Sequence, residues 1–188
     1  MKSIFIDKQI TYTGRELSPH WIYKNFNVQG SAIASFIGPV RVDLSEMVDI
    51  EDVINNEPIS SDLMLNFIIE DFEISLAHCV SRQRLFICII KEVLEEILQD
   101  RGAMIKRDGD DLFFNGKKLS VSIATKSITS SLIHTALNIV SDGAPIEVSS
   151  LNEIGISNVK EFAIKIMDKF TAEISDMDFA KSKVRGVL

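Results

Sequence analysis

A lysine beside two serines opens the chemical reading of this chain. Lys118 follows Asn115-Gly116-Lys117 and leads into Leu119-Ser120-Val121-Ser122-Ile123-Ala124. On one continuous strand, side chains alternate with period two. Lys118, Ser120 and Ser122 then share one face, and Leu119, Val121 and Ile123 take the other. An ammonium with hydroxyls alongside can hold a carbonyl oxygen or a phosphate and stabilise negative charge that develops there. Two readings of Lys118 stand side by side. It is a solvated lysine on an open sheet face, or it projects into a pocket. A pocket lysine requires an anionic ligand or a carboxylate, because burying an unpaired charge is costly. The small serines keep space open and favour the pocket.

Other polar residues sit where they could join it. Asp110 and Asp111 belong to Asp108-Gly109-Asp110-Asp111, which is turn chemistry at a strand start or a place to position a metal-bound nucleotide. His134 and Asn138 fall on one face of an apolar run whose other face carries Ile133, Leu137 and Ile139. His134 is a satisfied core histidine or a group that orients a ligand. Asn66 and Glu70 are polar positions within another apolar run, and if buried they must be hydrogen-bonded. Either a structural network or a substrate contact would satisfy them. Cys79 would need an activating base to act as a nucleophile. Its neighbour His78 is adjacent only in the chain, so an inert thiol is expected. Cys79 and Cys88 match no metal-ligand spacing, and no metal site is expected. No P-loop, Gly-x-Gly-x-x-Gly or nucleophile-elbow pattern occurs.

These residues need elements to hold them. Asn115-Gly116, between two alternating runs, is a hairpin turn, since both residues accept positive φ. Lys2 to Ile6 and Gln9 to Thr13 read as short strands around a turn. Ser18-Pro19 opens a short helix holding Trp21, Ile22 and Phe26, which ends near Asn27. Val28 to Ile37 reads as a strand rich in small residues, Gly30 among them, with room for a ligand or a neighbouring backbone. Gly38-Pro39 breaks it, and Val40 to Val42 resumes it. Residues 43–61 form a polar surface insertion with a helical turn near Ile50 to Ile54. Leu63 to Phe72 reads as a strand, with Asn66, Ile68 and Glu70 facing away from Leu65, Phe67 and Ile69. Leu85 to Leu98 is a helix with an apolar stripe. Arg82 and Arg84 near its start oppose the macrodipole, which points to a partner elsewhere, such as Glu70. Ala103 to Arg107 reads as a strand, and Ser141 to Glu147 as a loop around Gly143 and Pro145. Asn158 with Glu161 forms a capping box before a helix carrying Phe162, Ile166, Met167 and Phe170. The tail from Met177 is a further helix or strand. The order is α+β, with a mixed, largely antiparallel sheet and helices packed on one face.

The totals set limits on function. A chain of 188 residues is one domain on length alone. Net charge is −7 and pI about 5.0, which disfavours broad binding to nucleic acid or an anionic membrane. No apolar run approaches the length of a membrane span. Two cysteines and no signal peptide fit the cytoplasm.

Taken together, Met64 to Phe72, Gln83-Arg84-Leu85, Gly109-Asp110-Asp111-Leu112, and Lys118 to Ala124 with Ile133-His134 resemble the prokaryotic family called domain of unknown function 366, over nearly the whole chain. More distantly, Asp110-Asp111, Gly116-Lys117-Lys118-Leu119-Ser120, Ala124 and His134-Thr135-Ala136-Leu137 are similar to lipoate and biotin protein ligases, whose catalytic domain shares the class II aminoacyl-tRNA synthetase fold. In those ligases the second lysine contacts the acyl carbonyl and phosphate of an acyl-adenylate, and by position this is Lys118. The resemblance implies a ligase-like domain spanning residues 1–188 that binds an acyl or adenylate-like small molecule. Lys118 would be catalytic, and Gly30, Asn66, Glu70, Arg84, Asp110, Asp111, Ser120, Ser122, His134 and Asn138 would form the substrate-binding set. ATP and Mg²⁺ as cofactors follow from the resemblance only. A carrier protein as partner and a homodimer are compatible with it. Two departures are plain. Val121 stands where the ligases have glycine, and Gln29-Gly30-Ser31-Ala32 stands near the place of their Arg-Arg-x-x-Gly-Gly-Gly loop. They leave room for a rival reading, a binding or interaction module without ligase chemistry.

Overall fold

A computed structural model describes residues 1–57, 59–72, 74–99, 104–142 and 146–187. The expectations placed on Ala103, Gly143 and Pro145 lie outside the described residues. The chain opens with β1 (Lys2–Ile6), followed by helix α1 (Trp21–Phe26) and β2 (Ala32–Val42). A single 3₁₀ turn (Leu44–Glu46) and helix α2 (Ile50–Asn55) lead to β3 (Ile59–Phe72) and the long helix α3 (Leu76–Leu98). Three short strands follow, β4 (Ile105–Asp108), β5 (Asp111–Phe114) and β6 (Lys117–Lys118). Then come β7 (Ser120–Lys126), β8 (Ser130–Asn138), helix α4 (Leu151–Ile154) and helix α5 (Val159–Ala180).

The main sheet has five strands in the order β1-β2-β3-β8-β7, and β4-β5-β6 make a separate small one. In the main sheet β1 and β2 run parallel, and the pairs β2–β3, β3–β8 and β7–β8 are antiparallel. The class is therefore the expected mixed α+β. Strand β3 alternates as its sequence predicts. Leu65, Phe67 and Ile69 face the core shared with α3 and α5, where Phe86 meets both Phe67 and Phe170 edge-on. Met64 and Ile68 face the opposite core, with Tyr12, Ile22 and Phe36. The two long helices thus cover one face, while α1 and the N-terminal segment cover the other.

Several local expectations change for identifiable reasons. Gln9 to Thr13 makes only an isolated bridge, Tyr12 to Val40, because β1 pairs with β2 instead. The Gly38-Pro39 break is a register shift inside a continuous β2. A Cβ on Gly38 would lie 1.9 Å from the Ile10 carbonyl oxygen, so this small residue admits a neighbouring backbone. Helix α1 starts at Trp21, with His20 at φ 63° before it. Helix α3 starts nine residues earlier than expected, because Ser75 caps it by accepting from the His78 N–H at 3.1 Å. Arg82 and Arg84 therefore lie in its second and third turns, and the macrodipole conflict disappears. Asn158 caps α5 as predicted, accepting from the Glu161 N–H at 3.1 Å and donating to the Glu161 carboxylate at 2.9 Å. That helix runs on to Ala180, taking in the start of the tail.

Candidate functional site

The hairpin of β5 and β6 sets the lysine. Asn115 and Gly116 both have positive φ, 50° and 83°, as a tight hairpin turn demands. Pairing of Phe113 with Lys118 puts the lysine on the side of Asp111, two residues before Phe113. Its Nζ lies 2.9 Å from Asp111 Oδ2, with both side chains about one-third exposed. The ammonium is neither buried alone nor loose in water.

Beyond Lys118 the expected alternation fails. At Leu119 the chain leaves the small sheet for the large one. Leu119 donates its N–H to Leu112 and accepts from Asn138, and its side chain enters the core beneath α3. Val121 and Ile123 pack against the opposite core. Ser120 and Ser122 therefore do not share a face with Lys118 across one strand. Ser120 Oγ accepts from the Leu112 N–H at 2.9 Å. Ser122 Oγ accepts from Gln83 Nε2 at 3.0 Å and lies 2.9 Å from Thr135 Oγ1. Both hydroxyls are engaged within the protein.

A cavity of about 690 Å³ lies over β7 and β8, within the ~300–1,000 Å³ usual for small-molecule sites. Its floor includes Val121, Ile123, His134 and Tyr12; Lys118 and Asp111 come from the small sheet, and Asp110 from the turn between β4 and β5. Its remaining wall is the segment read as a surface insertion, through Met47, Asp49, Asp52 and Glu57. Of the expected site residues, Asp110, Asp111, Lys118, Ser120, Ser122, His134 and Asn138 border this cavity. Asn138 is tied down by donation to the Ser149 carbonyl at 3.2 Å.

The remaining four residues are placed elsewhere. Asn66 lies behind His134, with its Oδ1 at 3.0 Å from His134 Nε2. Glu70 is buried and accepts from the His20 N–H at 2.8 Å and the Ser130 hydroxyl at 2.7 Å. It fixes the start of α1, and neither arginine reaches it: Arg82 pairs with buried Asp71, and Arg84 with Asp110 at 2.7 Å. Gly30 sits before β2 at φ 90°, away from the cavity lining. Cys79 is buried, and burial pushes its thiol pKa up, which disfavours the thiolate a nucleophile needs.

Sequence reasoning missed Gln83, which donates to Asp110 Oδ2 at 2.7 Å as well as to Ser122. It also missed Tyr12, stacked on His134 with ring centroids 3.6 Å apart and planes within 9°. The acidic insertion residues were visible as a charged stretch, but no pattern announced that they wall a cavity.

The electrostatics of the lining are one-sided. Six carboxylates border the cavity, from Glu46, Asp49, Asp52, Glu57, Asp110 and Asp111, and Lys118 is the one Lys or Arg among the described lining residues. Burial raises the Asp52 pKa, with Asp49 and Glu57 adding to it. Burial also raises that of Asp110, against the lowering effect of Arg84. His134 is driven down to about 3 by burial, so it is neutral. This lining does not suit a nucleotide triphosphate, since one lysine set among six carboxylates cannot offset the several negative charges of three phosphates. Among the described residues, no group of three or more His, Cys, Asp or Glu is arranged to hold a metal ion. No helix of the described residues is long and apolar enough to cross a membrane.

Known proteins match this architecture at two distances. A structure of a protein of unknown function from Pyrococcus horikoshi has 34% identity, covers 100% of both chains and superposes with a TM-score of 0.90. Biotin protein ligase from Aquifex aeolicus, in complex with biotin and ATP, has a TM-score of 0.59 at 17% identity over 93% of this chain and 70% of its own. A T. acidophilum protein described as a candidate lipoate protein ligase has a TM-score of 0.61 at 13% identity, covering 93% and 86%. These distant likenesses establish a ligase-like fold, and fold alone does not carry an activity. An uncharacterised protein of Methanocaldococcus jannaschii is 36% identical over 184 residues, 95% of this chain and 81% of that protein. The family described as Domain of unknown function (DUF366) matches residues 1–185, and the chain belongs to that family.

Proposed function

We propose that the chain binds a small acyl compound in the cavity over β7 and β8, with Lys118 as its electrostatic anchor. The observation that carries this reading is a lysine ammonium on the wall of a cavity of ligand size. Val121 and Ile123 supply an apolar floor for an acyl chain, and Lys118 supplies the contact for its carboxylate or carbonyl oxygen. If the group is transferred, the same ammonium stabilises the oxyanion formed at the carbonyl carbon. No step is assigned to ATP, because the lining does not fit its phosphates.

One observation favours a second reading, a binding module without transfer chemistry. The hydroxyls of Ser120 and Ser122 are held inside the protein, and His134 is a neutral, stacked, buried group. Neither supplies an obvious nucleophile or proton carrier at the cavity.

Thermal denaturation in the presence of straight-chain carboxylic acids tests the binding. A ligand that binds only the folded state raises the melting temperature in proportion to the logarithm of its concentration. Acids of a suitable length raise it for the native chain and not for Lys118→Ala. An equal rise in both proteins rejects Lys118 as the anchor.

A further inference from the structure

The floor of the cavity contains an acceptor with no donor. Asn66 Nδ2 donates to the Gly38 carbonyl at 3.3 Å and to the Met64 carbonyl at 3.1 Å. Its amide orientation is fixed by those two carbonyls, so Oδ1 faces His134 Nε2 at 3.0 Å as an acceptor. His134 therefore carries its proton on Nε2. Its Nδ1 holds a lone pair and has no hydrogen-bond partner among the described residues. Among them, the fully buried side-chain polar atoms without a hydrogen bond are Arg82 Nε and Asp71 Oδ2, the latter ion-paired with the Arg82 guanidinium; Nδ1 is not one of them, so it is not sealed away. His134 itself is 4% exposed and borders the cavity. A nearly buried acceptor without a donor is an uncommon arrangement in a folded protein.

The rest of the lining has the same preference. Carboxylates dominate it, and two of them, Asp52 and Asp110, have raised pKa values from burial with help from neighbouring acids. A cation would relieve that crowding. Burial keeps the imidazole neutral at ordinary pH, so Nδ1 stays an acceptor and does not repel a positive group.

Building on the acyl-binding reading above, we propose that the ligand also bears a protonated amine, which donates to His134 Nδ1 within the carboxylate-lined cavity. The ligand class is then an amine-bearing carboxylic acid or its acyl derivative, with the carbonyl end on Lys118. A plain fatty acid would leave the histidine acceptor without a donor and the acids uncompensated.

Isothermal titration of the full chain with two matched series tests this. One series is straight-chain amino acids with the amine at the far end, from two to eight carbons; the other is fatty acids of equal length. At one or more lengths the amino acid binds at least tenfold tighter than its fatty acid. Asp52→Asn and His134→Phe each reduce that preference by at least threefold, while Lys118→Ala weakens both series. Asp52→Asn lies on the outer wall and keeps the test decisive if His134→Phe does not fold. Fatty acids that bind as tightly as amino acids at every length, with dependence on Lys118, overturn this inference and leave the acyl-binding reading intact. Binding by neither series, or binding that ignores Lys118, overturns both.

Discussion

Lys118 Nζ and Asp111 Oδ2 lie 2.9 Å apart across the β5–β6 hairpin, at the edge of the cavity. The pair places a carboxylate where a ligand's own oxygen would have to go. An incoming carboxylate must compete with Asp111 for the ammonium. Asp111→Asn removes that competitor and keeps the shape, so a carboxylic acid that binds the native chain binds the variant several-fold tighter. Titration calorimetry at low salt measures it, because exposed charges are screened as salt rises. Weaker binding to Asp111→Asn would mean that the carboxylate orients the lysine and does not compete for it.

His134 gives a pH dependence with a definite sign. Unfolded, its imidazole titrates near the ordinary value of 6.5; folded, burial lowers this to about 3. Between those values the unfolded chain holds more protons, so stability falls as pH drops from about 6.5 toward 3. Above 6.5 the contribution is fully present. The slope from this one group approaches about 1.4 kcal/mol per pH unit. Urea unfolding between pH 4.5 and 7 measures it, and His134→Phe flattens the curve by that amount. An unchanged slope in the variant would show that other groups carry the acid sensitivity.

How much of this was legible depends on which physical rule governed each residue. Asn115-Gly116 announced the hairpin because backbone sterics decide it locally. The faces of β3 followed from period two, since that strand runs unbroken from Ile59 to Phe72. Period two failed at Leu119 because it assumes one strand, and there the chain changes sheets. Arg82 or Arg84 was read as having a partner elsewhere in the chain, such as Glu70, and Arg82 has a distant one. That partner is Asp71, next to the expected Glu70, and β3 alternation puts the two acids on opposite faces. The acceptor on His134 was not visible, because it depends on which carbonyls the Asn66 amide finds. Tyr12 was hidden for the same reason, since its stacking partner is far away in sequence.

The Arg82–Asp71 pair is the clearest stability test in the molecule. Both side chains are less than one-tenth exposed. Arg82→Ala would leave the Asp71 carboxylate with the Ser31 hydroxyl, at 2.7 Å, as its other side-chain partner among the described residues. Breaking one half of a buried ion pair costs about 3–5 kcal/mol. Replacing both by apolar residues of similar volume recovers much of that loss, since desolvation opposes the pair's own attraction. A double-mutant cycle by urea unfolding separates the coupling from the two single losses. Additive single losses would place the pair in solvent and contradict its burial.

Two glycines separate a steric demand from a conformational one. Gly116 needs its positive φ of 83° but has open space around the position of a Cβ. Gly116→Ala therefore carries only the left-handed penalty, roughly 1–2 kcal/mol, and leaves the cavity in place. Gly38 has no such φ, yet a Cβ there would meet the Ile10 carbonyl oxygen at 1.9 Å and the Ile10 carbonyl carbon at 2.7 Å. Backbone on both sides cannot give way as a flexible side chain would. Gly38→Ala must push the N-terminal segment off β2, and with it Tyr12, which bridges to Val40 and stacks on His134. The expected result is a larger loss of stability than for Gly116→Ala, together with a change in the His134 ring signals by NMR. Equal, small losses in the two variants would mean that the Ile10 backbone does not press against β2 in solution, and the floor of the cavity would then have to be redrawn.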